Sequence, residues 1–197
     1  MDLAISKIVD SRVVIAVTPK VDGCEVIIKE SDKGSAINEL KITGVPDKSF
    51  AFTLDFNDVS KTKGKPSRLF KQLSSYVSSS NGDGVNKSCD LVIISPEEHA
   101  DGFKLKILVL DLKSDRASSR GDVQVENSIL FIDYLLSLAK YHYAEKHKEI
   151  VYFKRLITTS AVKNAIGRKG RDQTLVHKVS VSVNNSKSNV DYCRLVV

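Results

Sequence analysis

The segment 89–159 constrains the fold more than any other part of the chain. It holds two apolar runs, "CDLVIIS" (89–95) and "FKLKILVLDLK" (103–113), with the polar stretch "PEEHADG" between them. Runs of this length, rich in Ile, Leu and Val, read as buried strands, and the short connector makes them an antiparallel hairpin. The next element, "VQVENSILFIDYLLSLAKYHYAEKH" (123–147), carries Val125, Ile129, Ile132, Leu136 and Ala139 at helical spacing, with Leu130, Tyr134 and Leu138 beside them. So wide an apolar stripe predicts a long helix lying on a sheet. "EIVYFKRLITT" (149–159) then returns as a strand. Strand, strand, helix, strand is a mixed sheet with one crossover, and it sets the class as α/β.

The hairpin also places charges. A turn centred between Ala100 and Asp101 sets Asp90 opposite Asp111. Side chains repeat with period two, so Asp111 and Lys113 share a face with Asp90, while Leu110 and Leu112 point the other way. Two carboxylates and one ammonium then meet at one end of an apolar hairpin. Close carboxylates repel, and each loses hydration when covered. A divalent cation removes that conflict, since Mg²⁺ or Mn²⁺ takes oxygen ligands and commonly uses one or two carboxylates. A lysine beside it can orient a water or stabilise charge developing on phosphorus. That is phosphodiester hydrolysis chemistry. The plainer alternative is a cross-strand charge pair where two strands run out into solvent.

Elsewhere the chain reads as short strands and loops. "RVVIAV" (12–17) and "CEVIIK" (24–29) flank the turn-rich "TPKVDG" as a hairpin, and "SFAFTLDF" (49–56) is a third strand. Pro66 suits the first turn of a helix over 66–79, with Leu69, Leu73 and Tyr76 at helical spacing. "SSSNGDGVNKS" (78–88) and "SDRASSRGD" (114–122) are loops. "TLVHKVSVSV" (174–183) and "DYCRLVV" (191–197) are strand candidates. With no internal repeat and no long linker, the expectation is one domain over 1–197: N-terminal strands to 60, a core over 61–160, and C-terminal strands beyond.

Lys and Arg number 30 against 24 Asp and Glu, a net charge of +6, which is compatible with a polyanionic partner. Basic residues concentrate in "KTKGKPSR" (61–68), with Lys61, Lys63, Lys65 and Arg68, and in "IGRKGRD" (166–172), with Arg168, Lys169 and Arg171. Either loop could touch a phosphate backbone, and either could be a solvated turn. Lys154 and Arg155 lie in the last core strand, facing the site or guarding a sheet edge. Cys24, Cys89 and Cys193 are far apart, which excludes a CxxC zinc ribbon and a disulfide framework and favours a reducing compartment, the cytoplasm or a host cell's interior. His142 and His147 have no metal-ligand spacing and read as a solvated helix end. No apolar run is long enough to span a membrane. Neither a P-loop, nor GxGxxG, nor GxSxG is present. Aromatic content of 7% without tryptophan argues against a stacking platform for single strands.

The order of elements and the position of the acids resemble the PD-(D/E)XK nuclease superfamily over about 95 residues. Asp111-Leu112-Lys113 matches the (D/E)XK element. Asp90 in "CD" is similar to the first acid, with Cys89 where the family has proline. Gln124 in "VQVEN" resembles the polar residue that several branches carry early in the following helix, with Glu126 and Asn127 as neighbours. The resemblance implies a restriction-endonuclease-like core of αβββαβ type: a mixed central sheet flanked by helices, here with an N-terminal β-hairpin extension. It implies an endo- or exonuclease acting on DNA or RNA with Mg²⁺ or Mn²⁺. Asp90, Asp111 and the carbonyl of Leu112 would hold the metal, Lys113 would assist the water, and Gln124 would support the site. Many members also carry a glutamate on the first core helix. "SRLFKQLSSYVSSS" has none, and Glu39 in "GSAINEL" is the nearest upstream glutamate on a helix candidate. The rival reading is a non-catalytic basic module that binds nucleic acid or protein in a larger assembly, and a homo-oligomer is compatible with both.

Overall fold

The computed structural model describes residues 3–30, 35–55, 57–58, 67–68, 84–100, 102–113, 121–159 and 175–197. Two 3₁₀ turns, Ala4–Lys7 and Ser11–Val13, precede β1 (Val14–Ile15) and β2 (Val17–Lys20). β3 (Gly23–Lys29) pairs antiparallel with β2 around a turn at Val21 and Asp22. The expected connector is therefore shorter than its composition suggests: Thr18, Pro19 and Lys20 lie in β2. Pro19 is tolerated because β2 is a sheet edge, and Gly23 takes the turn exit at φ +100°. β4 (Glu39–Val45) follows, so Glu39 opens a strand and is not on a helix. Leu40 and Ile42 alternate inward there.

β5 (Phe50–Phe52) is the core of the third expected strand. β6 (Asn57–Asp58) pairs with β7 (Ser67–Arg68), so the helix expected from Pro66 does not include its first two residues after the proline. Residues 69–83 lie outside the described residues. β8 (Leu91–His99) and β9 (Gly102–Lys113) form the hairpin, α1 (Gly121–Tyr143) crosses over, and β10 (His147–Thr158) returns. β11 (His177–Ser180) and β12 (Lys187–Asp191) complete the strands. "DYCRLVV" is not a strand. Asp191 ends β12, and its carboxylate accepts the Cys193 N–H at 2.8 Å to cap a 3₁₀ turn over Tyr192–Arg194.

The first sheet has the order β1-β5-β8-β9-β10-β11, antiparallel through β9 and parallel from β9 to β11. His99 faces Gly102 and Leu91 faces Leu110, so the turn falls between Ala100 and Asp101 as the sequence predicts. Asp90 N–H donates to Leu110 O at 3.1 Å, so Asp90 and Leu91 both stand opposite Leu110 and the regular register ends there, with Asp111 at the same end of the hairpin. "PEEH" is strand, not connector: Glu97 faces Lys104 and its carboxylate receives Lys106 Nζ at 2.9 Å. Cross-strand ion pairs let polar residues extend the ladder to its tightest turn.

The faces of β8 and β9 divide by parity. Val92, Ile94, Leu105, Ile107 and Val109 join one buried cluster with Val125, Ile129 and Ile132 of α1. Leu91, Ile93, Leu108, Leu110 and Leu112 join another with Val26, Ile42 and Val190 of a second sheet, ordered β12-β4-β3-β2. Burial on both faces is why the hairpin reads as a continuous apolar run and not as an alternation. The class is mixed α/β, and among the described residues α1 covers one face of the central sheet and a second sheet covers the other. The N-terminal hairpin is no extension but half of that sheet. The α1 stripe is also narrower than expected, since Leu130 and Tyr134 are 70% and 57% exposed.

Arg155 pairs with β9 on one side and with β11 on the other, so it does not guard an edge, whereas Lys154 lies just before the stretch that β11 covers. Lys154 Nζ donates to Glu126 Oε1 at 2.7 Å. Arg155 is buried on the opposite face and donates to the backbone oxygens of Lys154 and Val197. His142 is exposed at the helix end, whereas His147 opens β10 against Phe103. No cysteine is bridged, and no described helix is long and apolar enough to cross a membrane.

Ser128 locks helix to hairpin: its Oγ accepts the Cys89 N–H at 2.9 Å and donates to Gln124 O at 2.7 Å. Ser128→Ala leaves that buried amide without a partner, which costs about 1–3 kcal/mol. Urea unfolding of the variant should show a loss of this size; an unchanged midpoint would mean that the amide finds another acceptor.

Candidate active site

Four side chains meet at one end of the first sheet, delivered by three pieces of backbone. Asp90 immediately precedes β8, Asp111 and Lys113 close β9, and Gln124 lies in the first turns of α1. Lys113 Nζ sits 2.5 Å from Asp111 Oδ2 and donates to Gln124 Oε1 at 2.6 Å. Gln124 Nε2 in turn donates to Ser88 O at 3.1 Å. Asp90 Oδ2 accepts the backbone N–H of Leu112 at 2.5 Å. The structure thus brings Asp90, Asp111, Lys113 and Gln124 together, and Leu112 meets the cluster through its amide.

The site is covered. The Asp111 side chain is 1% exposed and that of Lys113 17%. Asp111 Oδ2 is buried with the Lys113 charge beside it but no aligned hydrogen bond. Burial raises Asp90 well above the ordinary carboxylate range, and the nearby charge of Asp111 raises it further. Burial also lifts Asp111 to about 6, against the pull of Lys113. Asp55 and Glu30 add negative charge: Asp55 acts on both acids, Glu30 on Asp90. Asp90 and Leu112 border a cavity of about 620 Å³ that Lys29, Glu30 and Asp55 also line.

Two close carboxylates, one of them with a buried oxygen lacking an aligned hydrogen bond, form a hard, anionic oxygen donor set. That set suits a divalent cation such as Mg²⁺ or Mn²⁺, which completes its shell with water or substrate oxygen. Among the described residues no three His, Cys, Asp or Glu side chains gather as a ligand cluster. A cation here would thus rest on the two aspartates plus non-side-chain oxygens.

The remaining sequence candidates fall elsewhere. Glu126 is held by Lys154, and Asn127 Nδ2 donates to Gly84 O and Lys87 O, pinning the segment before β8. Glu39 pairs with Lys187 at 3.2 Å in the second sheet. Lys61, Lys63, Lys65, Arg168, Lys169 and Arg171 lie outside the described residues. Arg68 is in β7, where its backbone pairs with Asn57.

Gly121 is a site residue that sequence reasoning missed. A Cβ there would lie 3.0 Å from both Leu156 methyl carbons and 3.2 Å from Lys113 Cε. Its absence lets the lysine lie against the start of α1. The signal was a glycine at the boundary of loop and helix, which reads only as a breaker. Gly121→Ala should cost about 1–3 kcal/mol through overpacking, read by thermal unfolding. A stability equal to wild type would show that Leu156 and Lys113 give way freely.

Compared with known protein families, with curated proteins and with solved structures, the chain matches none.

Beside Asp90, Asp111 shapes the pH response. Its folded pKa of about 6 exceeds the ordinary 3.8, so between those values the folded state binds more protons than the unfolded state. Stability is then fully present below pH 4 and falls as pH rises through about 6, by an amount on the order of 3 kcal/mol. Asp111→Asn should flatten this slope and raise stability at pH 7. Denaturation of both proteins at pH 4.5 and 7 checks it, and parallel slopes would assign the proton uptake to another group.

Proposed function

We propose that this chain is a metal-dependent nuclease resembling the PD-(D/E)XK superfamily, hydrolysing phosphodiester bonds in DNA or RNA. One observation carries the reading: Asp90, Asp111, Lys113 and Gln124 converge at one sheet end from three pieces of backbone, with Lys113 ion-paired to Asp111 and bonded to Gln124 and Asp90 held by the Leu112 amide. The topology supports it. The antiparallel run β5, β8, β9, the crossover α1 and the parallel β10 follow the βββαβ order of a restriction-endonuclease-like core.

Mg²⁺ or Mn²⁺ would be held by Asp90 and Asp111, with the Leu112 carbonyl as a further oxygen, and when bound supplies Lewis-acid polarisation of the phosphate and a more acidic water. The protein's own groups do the positioning. Leu112 N–H fixes Asp90 through one oxygen and leaves the other for the site. An ammonium has three donors. Lys113 donates one to Gln124 and lies in ion-pair contact with Asp111, which leaves a donor for an oxygen of the scissile phosphate or the attacking water. Its charge opposes the negative charge that builds on phosphorus. Gln124 acts through Lys113: tethered to Ser88, it keeps the ammonium from swinging into solvent. Without a cation, the two acids would repel a phosphodiester, so metal and substrate oxygens belong to the same assembled state. The basic sequences 61–68 and 166–172 would hold the nucleic acid backbone.

A cleavage assay on single- and double-stranded DNA and RNA, with Mn²⁺, Mg²⁺ or EDTA, tests this. The wild type should cut only with metal, and Asp111→Asn and Lys113→Met should each lose about 100-fold or more. Binding that persists in wild type and variants with no cutting under either metal would replace the nuclease by a non-catalytic binding module.

A further inference from the structure

The outer face of α1 carries a second apolar stripe that the fold does not use. Val123, Leu130, Tyr134 and Tyr141 are 37%, 70%, 57% and 84% exposed. At about 100° per residue, their directions around the helix axis agree within about 40°. They lie diametrically opposite the buried line of Val125, Ile129, Ile132, Leu136 and Ala139. A helix with one apolar line on its sheet and another facing water presents a surface of the kind that partners cover.

The stripe reads the same in both directions. Val123 and Tyr141 stand nine positions either side of Ile132, Asn127 and Ser137 five, and Leu130 and Tyr134 two. A second α1 laid antiparallel, with a two-fold axis at Ile132, therefore sets each Leu130 against Tyr134 of the other copy and each Val123 against Tyr141. Self-complementarity of this kind is what an isologous contact requires. Charge agrees. Asp122 and Lys140 are exposed on the same flank of the helix, near its opposite ends. In the antiparallel pairing each Lys140 comes beside Asp122 of the other copy, twice over, whereas a parallel pairing leaves them about 27 Å apart along the helix. The helix dipoles also oppose one another only in the antiparallel arrangement. A lipid surface fits less well, because Asp122, Glu126 and Asp133 border the stripe where a membrane-surface helix carries Lys and Arg.

We propose that α1 pairs with α1 of a second copy of this chain, antiparallel about Ile132. The contact is one helix long, about 34 Å. That extent is at the small end of specific interfaces, so the dimer is reversible and concentration-dependent. Gln124 sits toward one end of α1, so the two acid clusters fall at opposite ends of the pair. Each is complete without the other.

Sedimentation velocity of the whole chain across the micromolar range tests the pairing, and its readout is mass, whatever the chain does to nucleic acid. The wild type should pass from monomer to dimer. Leu130→Glu with Tyr134→Glu, both at exposed positions, should stay monomeric at every concentration with an unchanged circular dichroism spectrum. Asp122→Lys and Lys140→Asp should each weaken association several-fold, and the two together should restore it. A wild type that is monomeric throughout would overturn the proposal, as would a dimer that survives the glutamate pair. Failure of the charge exchange to restore association would overturn the antiparallel register.

Discussion

The pairing of β8 with β9 is the constraint on which the rest depends. Both strands are buried on both faces, so hydrophobicity alone barely fixes their register: a slip of one residue exchanges one apolar set for another. The ends do the fixing. At one end the chain reverses in two residues between His99 and Gly102. At the other, Ser128 holds the amide of Cys89 and Leu112 N–H holds Asp90. A slip would push Asp111 toward the face where Leu110 and Leu112 meet the second sheet. A carboxylate there would have no cation beside it, at a cost of several kcal/mol. The same charged residues that suggest chemistry also determine how the apolar strands align.

Covering those charges has its own consequence. Asp90 and Asp111 both hold protons more tightly than a free carboxylate, chiefly because they are buried. Ionising them works against folding, and Lys113 offsets only part of that. Sites that place like charges together out of water are less stable than an apolar core would be, and tolerate it because the surrounding packing is secure. Here the surroundings are Val109, Val125 and Leu156, all buried.

The hairpin, its register, the crossover helix and the returning strand were legible because each is a long periodic segment with turn chemistry at its ends. Counting residues to the turn gave the register as far as Leu91 and Leu110, which puts Asp90 and Asp111 at the same end of the hairpin, and Gln124 was marked by its place at the start of α1. What stayed illegible has a common cause. β4 reads "ELKITGV", half polar, and its strand character comes from β3 and β12 on either side. β12 reads "KSNVD", with only Val190 and Ser188 inward, and no local pattern marks it. "DYCRLVV" looked like a strand on composition, yet Asp191 accepts a hydrogen bond from two residues on and turns the chain. Strands without a pattern of their own take their conformation from neighbours distant in sequence, which no window of residues contains. Gly121 was missed because its role is an empty volume, visible only once Leu156 and Lys113 surround it.

The second sheet joins strands from the two ends of the described chain. Residues 17–45 supply three of its strands, and the fourth is β12, which lies parallel to β4 after an interval of some 140 residues. The first sheet needs no such reach for its central strands, where β8, β9 and β10 follow one another within 91–158. During synthesis the early strands therefore emerge long before their last neighbour exists. Closing so large a loop is slow relative to forming a hairpin. Until Lys187–Asp191 leave the ribosome, the open edge of β4 stands unpaired, and a nascent chain in that state is a substrate for chaperones or for mispairing with a neighbour.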